Sequence, residues 1–225
     1  VGAQRRLRLL KEGPPFVHFS AKASQLLRKT TPTILQELVR APDPDTALIN
    51  LEGFLSTVGA RTTFLSLLAE NPSVVKLLIR LFGSSDYLAK LFIYHPELLD
   101  SLVRADAVRI NKSRLAMAQE LEEALQGSRD YEDKLNELRR FKNGEVLRIG
   151  MAALAGELNH HQETRQITNL AEICLQKAYE ISCHELEKRY GNPLYKTAQG
   201  RPRTAQFAII GLGRLGAREM SYNSD

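Results

Sequence analysis

TRQITNLAEICLQKAYEISCHELEKRYGNP, residues 164–193, is the stretch whose reading decides the fold. Ile167, Leu170, Ala171, Cys174, Ala178 and Ile181 recur every three or four positions, the apolar stripe of an amphipathic helix. This spacing predicts the longest helix of the chain, starting near Thr164. Gly191-Asn192-Pro193 stops it, because glycine caps a helix end and proline cannot continue one.

The same period extends toward the N-terminus. Leu115 to Leu125 reads as a helix ended by Gly127. Asp130 caps the next, which carries Leu135, Leu138 and Phe141 and is expected to bend at Gly144 before Leu147 to Leu154. Further upstream the helices shorten. Asp43-Pro44 starts one that holds Leu48, Leu51, Leu55 and Val58. Asn71-Pro72 starts another with Val74, Val75, Leu78 and Leu81. Gly83 closes it and Ser84 is the expected cap of the next, through Leu88, Leu91 and Phe92. His95-Pro96 opens a last short helix with Leu98, Leu99 and Leu102. Helices this short are marginal alone and must pack on one another, so the fold class is mainly α, a multi-helix bundle. No repeat of fixed period is present.

Beyond Pro193 the texture changes. LYKTAQGRPRT, residues 194–204, reads as a polar loop. Phe207-Ala208-Ile209-Ile210 has the apolar run of a buried strand and leads into Gly211-Leu212-Gly213-Arg214-Leu215-Gly216. The sequence stops nine residues later at Ser224-Asp225. A single strand is not stable, so its partner strands are expected past the last residue.

Composition excludes some classes. Of 225 residues, 43% are hydrophobic and 25% charged, which is ordinary for a globular protein, and no apolar run is long enough to span a bilayer. The net charge of +5 comes from basic residues interleaved with acids, which reads as a solvated surface. Trp is absent and no aromatics interleave with the basic residues, so there is no stacking platform for nucleic acid. The start, VGAQRRLRLLKEGPPF, lacks the apolar core of a secretory signal. Its first residue is Val, the mark expected of an excised segment. Cys174 and Cys183 are nine residues apart, on opposite helix faces, and read as reduced thiols of a cytoplasmic protein. His160-His161 are neighbours that do not face one site, and no metal-ligand spacing occurs elsewhere.

Gly211-x-Gly213-x-x-Gly216 after a strand has the form of a dinucleotide fingerprint. That fold also needs a βαβ unit and an acid about twenty positions on, and neither is present. The segment as a whole, FAIIGLGRLGAREMSYNSD, resembles the glutamine synthetase adenylyltransferase and adenylyl-removing family of DNA polymerase β-like nucleotidyltransferases. That family shows an apolar strand, G-x-G-[KR]-L-G-[GA]-x-E-[LM], then Ser-Asp. Gly211, Gly213, Arg214, Leu215, Gly216, Ala217, Glu219, Met220, Ser224 and Asp225 match it, with Arg214 and Ala217 where Lys and Gly are commoner. The resemblance runs back through Glu70 to Leu102, Leu138 to Gly156, NLAEICLQKAYE and Arg189 to Pro193.

The resemblance implies a truncated α+β nucleotidyltransferase domain behind the bundle. Residues 1–110 would be a helical linker or regulatory region, 111–193 helices leading into the catalytic domain, and 194–225 the start of its core. Nucleotidyl transfer uses two Mg²⁺ ions about 4 Å apart, held by carboxylates at i and i+2 of one strand. Asp225 matches the first carboxylate, catalytic and metal-binding; the second is expected two positions later. Gly211, Gly213, Arg214, Gly216 and Ser224 would meet the triphosphate of ATP. Glu219 is expected to be structural, paired with Arg218 or Arg214. The implied activity moves AMP onto a tyrosine of glutamine synthetase, under a PII signal protein. ENP and HPELLD resemble the helices before the transferring half; the removing half, which releases ADP by phosphorolysis, is the alternative. The isolated chain is expected to be inactive. From the residues alone, a dinucleotide-dependent oxidoreductase and a non-catalytic helical interaction module stay open.

Overall fold

The computed structural model describes residues 18–58, 62–98, 111–222 and 224. The chain divides into two compact units, Val1–Arg109 with Gly150–Glu157, and Ile110–Ile149 with Leu158–Asp225.

In the first unit, α1 (Ala21–Arg40) begins where the Ser20 hydroxyl accepts the Ala23 amide, and it continues past Pro32. α2 (Pro44–Val58) follows Asp43, whose carboxylate accepts the Thr46 amide at 3.0 Å. α3 (Thr62–Glu70) and α4 (Pro72–Phe82) both pack on α1, and α5 (Asp86–Tyr94) packs on α2. The core is the apolar faces of these helices. Phe54, Phe82 and Phe92 are fully buried, with the Phe54 and Phe82 rings 5.8 Å apart. Asn50 fastens α2 to the end of α4 by donating to the Phe82 carbonyl at 2.9 Å.

Three local expectations change here. Asn71 stands at the N-cap position of α4, and Pro72 opens the helix as expected, but the Asn71 side chain makes no capping bond; its amide donates back to the Leu67 carbonyl of α3 instead. Ser85, and not Ser84, caps α5, because Ser84 still donates to the Arg80 carbonyl of the preceding turn. After His95 only a 3₁₀ turn, Pro96–Leu98, is described, and Leu99 and Leu102 lie outside the described residues.

In the second unit, α6 (Arg114–Gln126) is capped by Ser113. α7 (Tyr131–Leu154), whose residues from Gly150 on belong to the first unit, is capped by the Asp130 carboxylate, which accepts the Asp133 amide at 2.8 Å. α7 is one continuous helix through Gly144, without a break: a lone glycine weakens a helix and does not by itself end it. α8 (His160–Tyr190) starts four residues before Thr164, because Asn159 and Gln162 form a reciprocal capping box. It ends at Gly191, φ +78°.

Residues 194–204 are not a loop throughout. β1 (Leu194–Lys196) and β2 (Pro202–Thr204) form an antiparallel hairpin with Leu194 opposite Thr204. The apolar run Phe207–Ile210 forms no strand, and Phe207 and Ile210 are 69% and 80% exposed. A strand exists only through a ladder with a neighbour, and among the described residues none lies beside this run. Phe207 instead stacks on Tyr179 of α8, ring centroids 5.3 Å apart. Among the described residues no helix is long and apolar enough to cross a membrane.

Candidate functional site

The glycine segment is a tight turn around a five-residue helix, α9 (Gly213–Ala217). Gly213 opens it at φ +55°, a conformation that side chains with a Cβ disfavour. Gly216 closes it against Gly211: a Cβ on Gly216 would stand 2.5 Å from the Gly211 carbonyl oxygen. Here glycine is required for space, not conformation.

α9 ends in a Schellman motif. The Glu219 amide donates to the Arg214 carbonyl at 2.8 Å and the Arg218 amide to the Leu215 carbonyl at 3.1 Å. The left-handed residue of that motif is Arg218, φ 61° and ψ 37°, where glycine is usual. Among the described residues it is the one non-glycine with positive φ.

Beyond the turn the chain is fastened to α8. Arg218 donates to the Asn169 side-chain oxygen at 2.8 Å and pairs with Glu172 at 3.2 Å. The Met220 amide donates to the Thr168 hydroxyl at 3.2 Å, and the Tyr222 hydroxyl to Glu163 at 2.6 Å. Thr168 and Asn169 are buried polar residues, 0% and 7% exposed. Glu172 also receives Arg114 at 3.3 Å, so two guanidinium groups share one carboxylate.

Arg214 lies on the exposed side. Its Nη1 donates to the Ser221 hydroxyl at 2.7 Å and stands 3.4 Å from the Ser224 hydroxyl. Ser224 Oγ in turn accepts the Ser221 amide at 2.9 Å. A cation and two hydroxyls thus meet on one side of the turn. A cleft of about 350 Å³ opens beside the turn, lined by Glu172, Leu175, Ile209, Gly211, Leu215 and Arg218 among others.

Gly211, Gly213, Arg214, Gly216 and Ser224 are therefore brought together, and Asp225 lies outside the described residues. Glu219 is exposed, and among the described residues no ion pair joins it to Arg214 or Arg218; Arg218 is taken by Glu172 instead. Sequence reasoning missed Ser221, Thr168 and Asn169, and gave Arg218 only as a partner of Glu219. Only the two buried polar positions, which with Gln166 interrupt the apolar stripe of α8, carried a signal. Cys174, on the same helix, is free, and burial pushes its thiol up to about 11.

The family model described as glutamate-ammonia ligase adenylyltransferase matches residues 75–225. A bifunctional glutamine synthetase adenylyltransferase/adenylyl-removing enzyme from Thioalkalivibrio sulfidiphilus is 32% identical over 218 residues, 96% of this chain and 22% of that protein. Proteins of the same name from Nitrosococcus oceani and Pseudomonas aeruginosa are each 31% identical over 99% of this chain and 23% of their own length. The chain thus spans less than a quarter of the curated relatives it matches. Since the family model covers most of the sequence, glycine turn included, the chain belongs to the glutamate-ammonia ligase adenylyltransferase family.

Proposed function

We propose that this chain is part of an enzyme that transfers AMP from ATP to a tyrosine of glutamine synthetase, and that it comes from the transferring half. The observation that carries the reading is the Arg214 guanidinium beside the Ser221 and Ser224 hydroxyls, at the rim of a glycine turn. A planar, permanently charged fork with neighbouring hydroxyl donors suits phosphate oxygens. Glycines at 211, 213 and 216 let the backbone come close to the same oxygens. The relatives' names supply glutamine synthetase as the protein acted on.

Mg²⁺ would neutralise the triphosphate in such a transfer. The guanidinium at this turn repels a cation, and two hydroxyls alone are too few of the oxygen ligands that Mg²⁺ takes. Among the described residues no three His, Cys, Asp or Glu form a group able to hold a metal ion. The proposed carboxylate ligand, Asp225, is outside the described residues. The residues of the turn would therefore act on the phosphates, with Arg214 and Ser224 orienting them.

The test uses the full-length gene product that carries this sequence, with Mg²⁺, glutamine synthetase and ATP labelled at the α-phosphate. Label should appear on a glutamine synthetase tyrosine and disappear with Asp225→Ala. No label from the parent enzyme overturns the reading. Transfer that survives Asp225→Ala, with loss of phosphate-dependent ADP release from adenylylated glutamine synthetase, assigns the chain to the removing half.

A further inference from the structure

We propose that Arg218 is a positioning residue: gripped by Asn169 and Glu172 of α8, it holds the exit of the glycine turn left-handed and so fixes where Arg214, Ser221 and Ser224 stand. The proposal rests on the reading that this turn meets the phosphates of ATP, and it adds a component that touches α8 and not the phosphates.

Arginine is a poor choice at the left-handed position of a Schellman motif, where glycine goes without steric cost. Strain of this kind persists only where the surroundings over-determine it. They do so here. The guanidinium bonds Asn169 at 2.8 Å and Glu172 at 3.2 Å, and Glu172 is itself anchored by Arg114 at 3.3 Å. Two residues on, the Met220 amide reaches the Thr168 hydroxyl, which already donates to the Thr164 carbonyl and so offers only its lone pairs. Tyr222 adds a third tether at Glu163. All three tethers land on α8 between residues 163 and 172, and Ser221 lies between the last two. If Arg218 relaxed to an ordinary conformation, the chain direction after Ala217 would change. The Ser221 and Ser224 hydroxyls would then leave Arg214, although neither touches Arg218.

Four variants of the full-length protein test this. Arg218→Ala removes the grip and leaves the strain. Arg218→Gly removes the grip but keeps the left-handed backbone at no cost. Asn169→Leu removes the buried acceptor, and Asn169→Asp keeps one. Arg218→Ala and Asn169→Leu should each raise KM for ATP about tenfold, the factor one lost charge-assisted hydrogen bond carries. Arg218→Gly should raise it about threefold, because the backbone is retained. Asn169→Asp should restore KM to within about twofold of the parent. Hydrogen exchange at the Met220 amide, an activity-independent readout, should speed up in Arg218→Ala and Asn169→Leu. A fall in melting temperature with KM, kcat and Met220 exchange unchanged would mean a merely structural contact and would overturn the proposal. Asp225→Ala separates the two readings. If it abolishes transfer while the Arg218 and Asn169 variants behave as the parent, only this proposal fails. If both transfer and phosphate-dependent ADP release survive it, the site reading falls and takes this proposal with it.

Discussion

The Lys112 ammonium lies 2.8 Å from the Glu145 carboxylate, with the two side chains 7% and 8% exposed. Lys112 also reaches Glu120, and the second Glu145 oxygen takes Arg148 at 2.9 Å. Arg148 continues to Gln166 at 2.6 Å, and Gln166 to Asn111 at 2.9 Å. Two cations and two carboxylates therefore balance inside the second unit, joining α6, α7 and α8 through polar contacts.

Glu145 is the member that serves both cations. Removing one partner of a buried pair costs more than replacing the whole set with apolar groups, because it strands a charge. Glu145→Leu should lower unfolding stability by about 3–5 kcal/mol in urea titration. Lys112→Met/Glu145→Leu/Arg148→Met should recover much of that loss. Equal losses in the two variants would show that the cavity and shape change dominate, not the charge.

Gly216 tests the turn. Its missing Cβ leaves room for the Gly211 carbonyl, and backbone on both sides cannot yield as a flexible side chain would. Gly216→Ala should therefore open the turn by several tenths of an ångström or more. In the full-length protein we expect AMP transfer to fall up to about a hundredfold, the scale of a 1 Å misplacement at a reacting centre. Helical circular dichroism should not change, since α9 holds five residues. Gly127→Ala is the control: nothing lies within 4 Å of a Cβ there.

The sequence announced the turn because its demands are local: Gly213 and Gly216 need no side chain for reasons set within six residues. The helices were legible for the same reason, through stripes such as Ile167, Leu170 and Ile181. The grip on the turn was not. Thr168 and Asn169 meet Met220 and Arg218 across 52 and 49 residues, and nothing in helical spacing says that two buried polar groups find partners there. Phe207–Ile210 failed in the other direction. Its apolar run promised a buried strand, but strand formation depends on a neighbour that local pattern cannot supply. The hairpin at Leu194–Thr204 was hidden by Gly200 and Pro202, which read as loop, yet Gly200 at φ +73° makes the turn that lets the two short strands pair.

Cys174 carries a pH prediction. Burial raises its thiol from an ordinary value near 9 to about 11, with Lys142 opposing and Glu145 adding to the shift. The thiolate is the reactive form, and at pH 8 only about one molecule in a thousand carries it at that pKa. In a Cys183→Ala background, iodoacetamide labelling of Cys174 should be slow at pH 8 and accelerate about tenfold per pH unit up to pH 10. Because the folded pKa is raised, the folded protein holds this proton more tightly than the unfolded chain, so stability falls as pH rises above the unfolded value and the loss levels off above the folded one. Fast labelling at pH 8 under native conditions would contradict the burial of this thiol.

Gly150 and Leu88 meet within the first unit. A Cβ on Gly150 would stand 2.5 Å from Leu88 Cδ1 and 3.1 Å from Cδ2. Leu88 is 2% exposed and anchors α5, so its branched end has little room to turn away. Gly150→Ala gains helix propensity within α7, worth about 1 kcal/mol, but overpacks the contact at about 1–3 kcal/mol. The balance should be net destabilising. The outcome is decided by the pair: in Leu88→Val the space is relieved, so adding Gly150→Ala to it should stabilise. A double-mutant cycle in thermal melts should give a coupling of about 1 kcal/mol or more. Additive effects would mean that Leu88 finds another rotamer at no cost, and that Gly150 is there for a reason other than this contact.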